Sequence, residues 1–188
     1  MVYVFLANGF EEVEALAPVD LLRRGGVEVR TVGISGREVT GAHGITVIAD
    51  ITADEADTAG LEGVVLPGGM PGTLNLEKSE TVKRFLKFAA ENGLLTGAIC
   101  AAPSVLGHLG LLRGKRATCF SGFEPELEGA TLVEDIPAVT DGNTVTARGA
   151  GAAIDFGLAL LAVLKGKQAA EDMRKAFRYG NQTERNLK

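Results

Sequence analysis

Cys100 is the residue of this chain whose type and setting most plainly offer chemistry. It follows the apolar run Leu94-Leu95-Thr96-Gly97-Ala98-Ile99, which reads as a short buried strand. It precedes Ala101-Ala102-Pro103-Ser104-Val105-Leu106, which reads as a helix start with proline in its first turn. A cysteine at a strand-to-helix turn, flanked by small residues, has the layout of a nucleophile elbow. Such a turn pushes the sulfur out of the sheet, and the free N–H groups of the new helix favour thiolate over thiol. A lowered thiol pKa is therefore expected. The alternative, a buried cysteine packing as a small hydrophobe, stays open on this segment alone.

The elements that must position it alternate. Residues 2–7 read as a strand, 11–24 as a helix with Val13, Leu16, Ala17, Leu21 and Leu22 on its apolar stripe, and 27–32 as a strand. Residues 38–52 suggest a hairpin excursion, 61–66 a strand closed by Pro67-Gly68-Gly69, and 79–91 a helix with Val82, Phe85, Leu86 and Ala89 inward. The elbow strand and its helix run to about Leu112. Short strands follow at 117–119, 131–134 and 144–147, then helices from Gly149 to about Leu164 and over 168–178, and a frayed tail over 180–188. Alternating strands and helices make an α/β fold: a mostly parallel sheet with helices on both faces. Ligands in such folds sit beyond the carboxyl ends of the strands. Asn8-Gly9, Gly68-Gly69, Cys100 and Arg148-Gly149 all fall at such ends, and this convergence strengthens the reactive reading of Cys100.

Composition narrows the function further. At 188 residues the chain suits a single domain, 1–188, with a full core. A net charge of −5 and only 5% aromatic residues argue against a nucleic-acid partner, which needs a basic stripe or stacking platforms. No apolar run approaches membrane-spanning length, so no membrane partner is expected. Two cysteines do not make a disulfide framework, and residues 2–7 are too short for a signal segment. The expected compartment is cytoplasmic. Two His and two Cys leave no convincing metal site. His43 lies in the hairpin excursion, and His108 lies eight residues beyond Cys100, about 12 Å along its helix. Neither stands where a Cys–His base is needed.

The same segments carry a resemblance. Gly9-Phe10-Glu11-Glu12-Val13-Glu14 with Pro18-Val19-Asp20 and Arg23-Arg24-Gly25-Gly26 comes first. Leu66-Pro67-Gly68-Gly69 with Asn75-Leu76, Ala98-Ile99-Cys100-Ala101-Ala102-Pro103, and Thr146-Ala147-Arg148-Gly149 with Asp155-Phe156 follow in order. Together they resemble the ThiJ/PfpI superfamily over about residues 2–165, in the branch of the parkinsonism-associated protein deglycase and its bacterial homologues. The resemblance implies a flavodoxin-like three-layer sandwich and a homodimer. It implies Cys100 as nucleophile, Glu14 as its carboxyl partner, and backbone N–H groups of Gly69 and Ala101 for an oxyanion. Gly68, Cys119 and Arg148 would wall the pocket. Two departures stand out: Ala150 where many relatives carry Pro, and Cys119 where some carry a pocket His. Cys119 reads more readily as a buried strand cysteine than as a resolving thiol. Ala101 replaces the His of the peptidase-like branch, which excludes a Cys–His protease.

Glu14 shares a helix face with Ala17 and Leu21, so it can point inward. Beside a thiolate in a partly dry pocket its pKa should rise, and the protonated carboxyl would then donate to sulfur. The bland alternative, a solvated residue in a helix's first turn, is the preferred reading of Glu11 and Glu12. The resemblance implies a cofactor-independent, cysteine-dependent glyoxalase or deglycase acting on small reactive carbonyls such as methylglyoxal. The alternative is a redox-sensing stress protein whose Cys100 oxidises to sulfinate.

Overall fold

Val2–Leu6, the first strand (β1), is buried along its whole length, which only a sheet covered on both faces allows. A computed structural model describes residues 1–180 and shows that sheet. After β1 come α1 (Glu12–Arg24), β2 (Val29–Gly33), β3 (Glu38–Thr40), β4 (Thr46–Ile48), β5 (Ile51–Thr52) and β6 (Gly63–Leu66). Then follow α2 (Gly72–Lys78), α3 (Glu80–Glu91), β7 (Leu95–Ile99), α4 (Pro103–His108), β8 (Arg116–Ala117), β9 (Thr131–Leu132), β10 (Ala138–Asp141), β11 (Thr144–Ala147), α5 (Ala153–Lys165) and α6 (Lys167–Ala176).

The main sheet has the order β10-β11-β7-β6-β1-β2-β5. Every neighbouring pair is parallel except β10 with β11. The inner parallel strands thus follow the flavodoxin-like order, whose switch point lies between β1 and β6. Alternate side chains feed two cores. Val4, Leu6, Ile99 and Val145 pack with α1 and α5 residues such as Leu22, Phe156 and Leu160. Tyr3, Phe5, Val64 and Leu66 pack with Leu76, Phe85, Leu86 and Val105 of α2, α3 and α4. These are the three layers expected from the alternation.

Several expectations need correction. The stripe read on α1 holds at Leu21 and Leu22 but fails in the first two turns: Val13 is 52% and Leu16 37% exposed, while Glu12, Glu14, Ala15, Pro18 and Val19 are buried. Packing on α5 and polar partners for the two glutamates set the helix rotation. The elbow helix ends at His108, well before Leu112. α2 and β10 were not anticipated, one a glycine-led short helix and the other a half-polar edge strand. The strand expected over 117–119 is Arg116–Ala117, so Cys119 lies past its end. The hairpin excursion is β3 paired antiparallel with β4. Of the expected frayed tail, all but Gly180 lies outside the described residues.

Candidate active site

Three loops meet beyond the switch point. After β7 the chain turns at Cys100 with φ +65°, a left-handed conformation that costs a non-glycine residue about 1 kcal/mol or more. The turn is held from both sides. The Cys100 N–H donates to the Ala147 carbonyl at 2.9 Å, and the Cys100 carbonyl accepts from the Phe120 N–H at 2.8 Å. This is the strained elbow anticipated from the flanking strand and proline.

The loop after β6 lies against it. A methyl on Gly68 would stand 2.6 Å from Cys100 Cβ and 2.7 Å from Glu14 Oε2, so only glycine fits between them. The Gly68 N–H donates to Glu14 Oε2 at 3.0 Å, and the Gly68 carbonyl accepts from Glu11 N–H at 2.9 Å. These two bonds clasp the loop to the first turn of α1. Glu11 caps that turn, its carboxylate accepting from Glu14 N–H at 2.7 Å.

Glu14 is 1% exposed and its carboxyl is hydrogen-bonded to the Cys100 thiol. Burial pushes its pKa up to about 7, and the Glu11 charge adds to the shift. Backbone N–H groups of Ala101 and Gly69 point at the Cys100 sulfur. The structure thus brings Cys100, Glu14, Gly68, Gly69 and Ala101 into one cluster.

The thiol itself departs from expectation. Burial pushes Cys100 up to about 12, and the Glu14 charge and its hydrogen bond push the same way, against the two N–H groups. The lowered thiol pKa anticipated from the turn is therefore absent while Glu14 is ionised. With the proton on Glu14 the repulsion disappears and the Ala101 and Gly69 donors favour the thiolate. One proton shared by two buried acids is the state this geometry supports.

Cys119 and Arg148, expected as walls of the Cys100 pocket, line a neighbouring open cleft of about 760 Å³. Phe120, Leu132, Val133, Glu134, Pro137 and Gly149 line it too, whereas Cys100 and Glu14 do not. Phe120 and Gly149 form the partition: a methyl on Gly149 would sit 3.2 Å from the Phe120 ring and 3.8 Å from Glu14 Oε1. The Arg148 guanidinium donates to the Glu134 carbonyl at 3.2 Å. Cys119 is buried in the α2–α4 core, but past the end of β8 rather than within a strand.

Glu12 is the polar residue the sequence misplaced. It is 4% exposed and accepts from His43 N at 2.8 Å, His43 Nδ1 at 2.9 Å and Ile45 N at 3.4 Å. Burial alone would raise its pKa, but the His43 bonds outweigh that and hold it below its ordinary value. Glu11, Glu12 and His43 form a cluster of metal-ligating types, yet the inner carboxylate already spends its oxygens on the hairpin. Phe120 was also missed; an exposed aromatic twenty-one residues past the end of β7 gives no local signal.

Comparison with known proteins agrees with this architecture. The DJ-1/PfpI family profile matches residues 1–163. Protein dj-1beta of Drosophila melanogaster is 35% identical over 176 residues, 93% of this chain and 94% of that one. A Caenorhabditis elegans protein named glutathione-independent glyoxalase DJR-1.2 is 30% identical, covering 88% of each chain. Among solved structures, oxidized Toxoplasma gondii DJ-1 superposes with a TM-score of 0.90 at 31% identity, over 95% of this chain and 98% of that one. With the family's motifs folded into one cluster at the switch point, the chain belongs to the DJ-1/PfpI family.

Proposed function

We propose that the protein is a cofactor-independent glyoxalase or deglycase that acts on 2-oxoaldehydes such as methylglyoxal. The observation that carries this is the Cys100 sulfur held between the Glu14 carboxyl and the Gly69 and Ala101 N–H groups. Glu14, with a pKa near 7, takes the thiol proton as the sulfur adds to the aldehyde carbon. The carbonyl electron pair moves to oxygen, and the backbone donors that faced the sulfur stabilise that new charge. Glu14 returns that proton to the new oxygen and, as a carboxylate again, moves a proton from the former aldehyde carbon to its neighbour through an enediol, while the hydroxyl proton passes to the ketone oxygen. The product is a thioester of a 2-hydroxy acid, and water releases the acid and the thiol. The DJR-1.2 relative, named for a glyoxalase, supports the same class.

In this reading the whole chain works as one domain and as a homodimer in a reducing cytoplasm, where Cys100 and Cys119 stay free thiols. Among the described residues, no helix is long and apolar enough to cross a membrane. The deciding experiment is methylglyoxal turnover, with buffer thiols controlled, by wild type and Cys100→Ser. Wild type should yield the 2-hydroxy acid and the variant none; equal rates would sink the proposal.

A second reading is redox sensing. The same donors that stabilise an oxyanion also suit a Cys100 sulfinate, and the Toxoplasma gondii relative is described as oxidized. Catalytic turnover against stoichiometric oxidation separates the two.

A further inference from the structure

His108 stands outside the thiol–carboxyl pair, yet both of its ring nitrogens are engaged. Nδ1 bonds Glu77 on α2, and Nε2 bonds Glu126 Oε2 at 2.8 Å. An imidazole that donates from both nitrogens carries a positive charge. Glu77 first, then Glu126, raise its pKa, and these are the charged groups that face it from the elements packed on α4.

Each carboxylate sits on a segment that leads to Cys100. Glu126 closes a 3-10 turn, Glu124–Glu126, packed so closely on α4 that a methyl on Gly107 would meet its carbonyl oxygen at 2.1 Å. Backbone bonds then run from Glu126 N–H to the Phe123 carbonyl at 3.0 Å and from Phe123 N–H to the Phe120 carbonyl at 3.1 Å. The last link is Phe120 N–H to the Cys100 carbonyl at 2.8 Å. On the other side, Glu77 belongs to α2, whose Thr73 N–H holds the Gly69 carbonyl at 2.9 Å. The Gly69 N–H in turn faces the Cys100 sulfur.

We infer that His108 is a positioning residue: its imidazolium clips α2 and the 120–126 segment to α4, fixing two of the backbone groups that hold Cys100. The inference rests on Cys100 being the reactive residue of the site, but not on any turnover. Loss of the charge frees both segments at once, so the Gly69 donor drifts from the sulfur and the Phe120 bond opens more often.

Two readouts test this in the intact protein: the rate of Cys100 alkylation by iodoacetamide, and amide hydrogen exchange at Phe120 and Gly69. His108→Gln, which keeps hydrogen bonding but not charge, should slow alkylation about three- to fivefold near pH 7, a size a half-exposed ion pair can transmit. It should also speed exchange at both amides. His108→Lys should restore both toward wild type. In wild type the amide protection, corrected for intrinsic exchange, should fall with pH as the His108 ring signals titrate; in His108→Lys it should stay flat. Should His108→Gln fail to fold, Glu126→Gln removes the charge from one of the two ion pairs and should give the same changes, with faster exchange confined to Phe120. Wild-type rates in the Gln variants, or a Lys variant that behaves like Gln, would overturn the clip. If the alkylation changes appear but wild type never turns over methylglyoxal, the catalytic proposal fails and the clip stands.

Discussion

At Cys100 two acids compete for one proton, and the competition predicts opposite responses in two assays. Glu14→Gln removes the negative charge beside the sulfur yet leaves a donor to it. The thiol should ionise more easily, so alkylation near pH 8 should be faster than in wild type. Methylglyoxal turnover should nonetheless fall by ~10²-fold or more, because an amide cannot carry a proton between carbons. Stability follows the same group. Glu14 titrates at about 7 folded against 4.5 as a free side chain, so the fold binds its proton more tightly than the unfolded chain does. That contribution is full below about pH 4.5 and lost as pH rises through about 7. Relative to wild type, Glu14→Gln should therefore gain roughly 2 kcal/mol between pH 5 and pH 8, read by urea denaturation at each pH. Oxidation belongs to this scale as well. Cys100 packs against the α1–α5 core and Cys119 lies in the α2–α4 core, so the two sulfurs face different layers. Two equivalents of peroxide should add two oxygens to Cys100, one per oxidation from thiol through sulfenic to sulfinic acid. A reversible loss of two mass units would instead reveal a Cys100–Cys119 disulfide.

Between elements, the site depends on how closely three loops can approach. Gly68 is one such close approach, lying between Cys100 Cβ, Glu14 Oε2 and the Ile99 carbonyl. Gly68→Ala should force β6 away from α1, break the Gly68–Glu14 bond and cost about 1–3 kcal/mol, as overpacking does. Turnover should fall with it, and the denaturation midpoint and kcat together check this. The elbow makes its own test. Cys100→Gly and Cys100→Ala both lack the thiol, but only glycine adopts φ +65° without strain. The glycine variant should therefore be the more stable by about 1 kcal/mol. Equal midpoints would mean the backbone relaxes once the sulfur is gone.

For the molecule as a whole, the open question is what covers its apolar face. Val13 and Leu16 on α1 and Ile45 and Ile48 on the hairpin are all at least 37% exposed. Glu12 binds His43 and Ile45, which brings helix and hairpin side by side. A second copy of the chain is the proposed partner, in line with the homodimer expected from the family. Sedimentation equilibrium should give about twice 19.6 kDa at micromolar concentration. Val13→Lys combined with Ile48→Lys should shift the mass to that of one chain. A wild type that sediments as a single chain would remove the dimer from the proposal.

Fold class and the strained turn at Cys100 were legible in the residues themselves. Strand runs such as Val2–Leu6 and Leu95–Ile99 are apolar throughout, which only a doubly covered parallel sheet accommodates, and Cys100 stands where one such run meets a proline-led turn. What the sequence left open depended on partners far along the chain. Glu14 finds its N–H donor 54 residues away at Gly68, and Glu12 finds His43 31 residues away. Those bonds, with the packing of α1 on α5, set the first two turns of the helix off the phase its own apolar residues suggested. The thiol pKa was misjudged for the same reason, because dehydration and a neighbouring charge are properties of the assembled cluster rather than of the turn. Cys119, Phe120 and His108 likewise acquired their places only when the 120–126 segment folded back onto the elbow. Local pattern determines which segments pair and which residue is strained, whereas electrostatics at the site are decided by groups that only tertiary packing brings within a few ångströms.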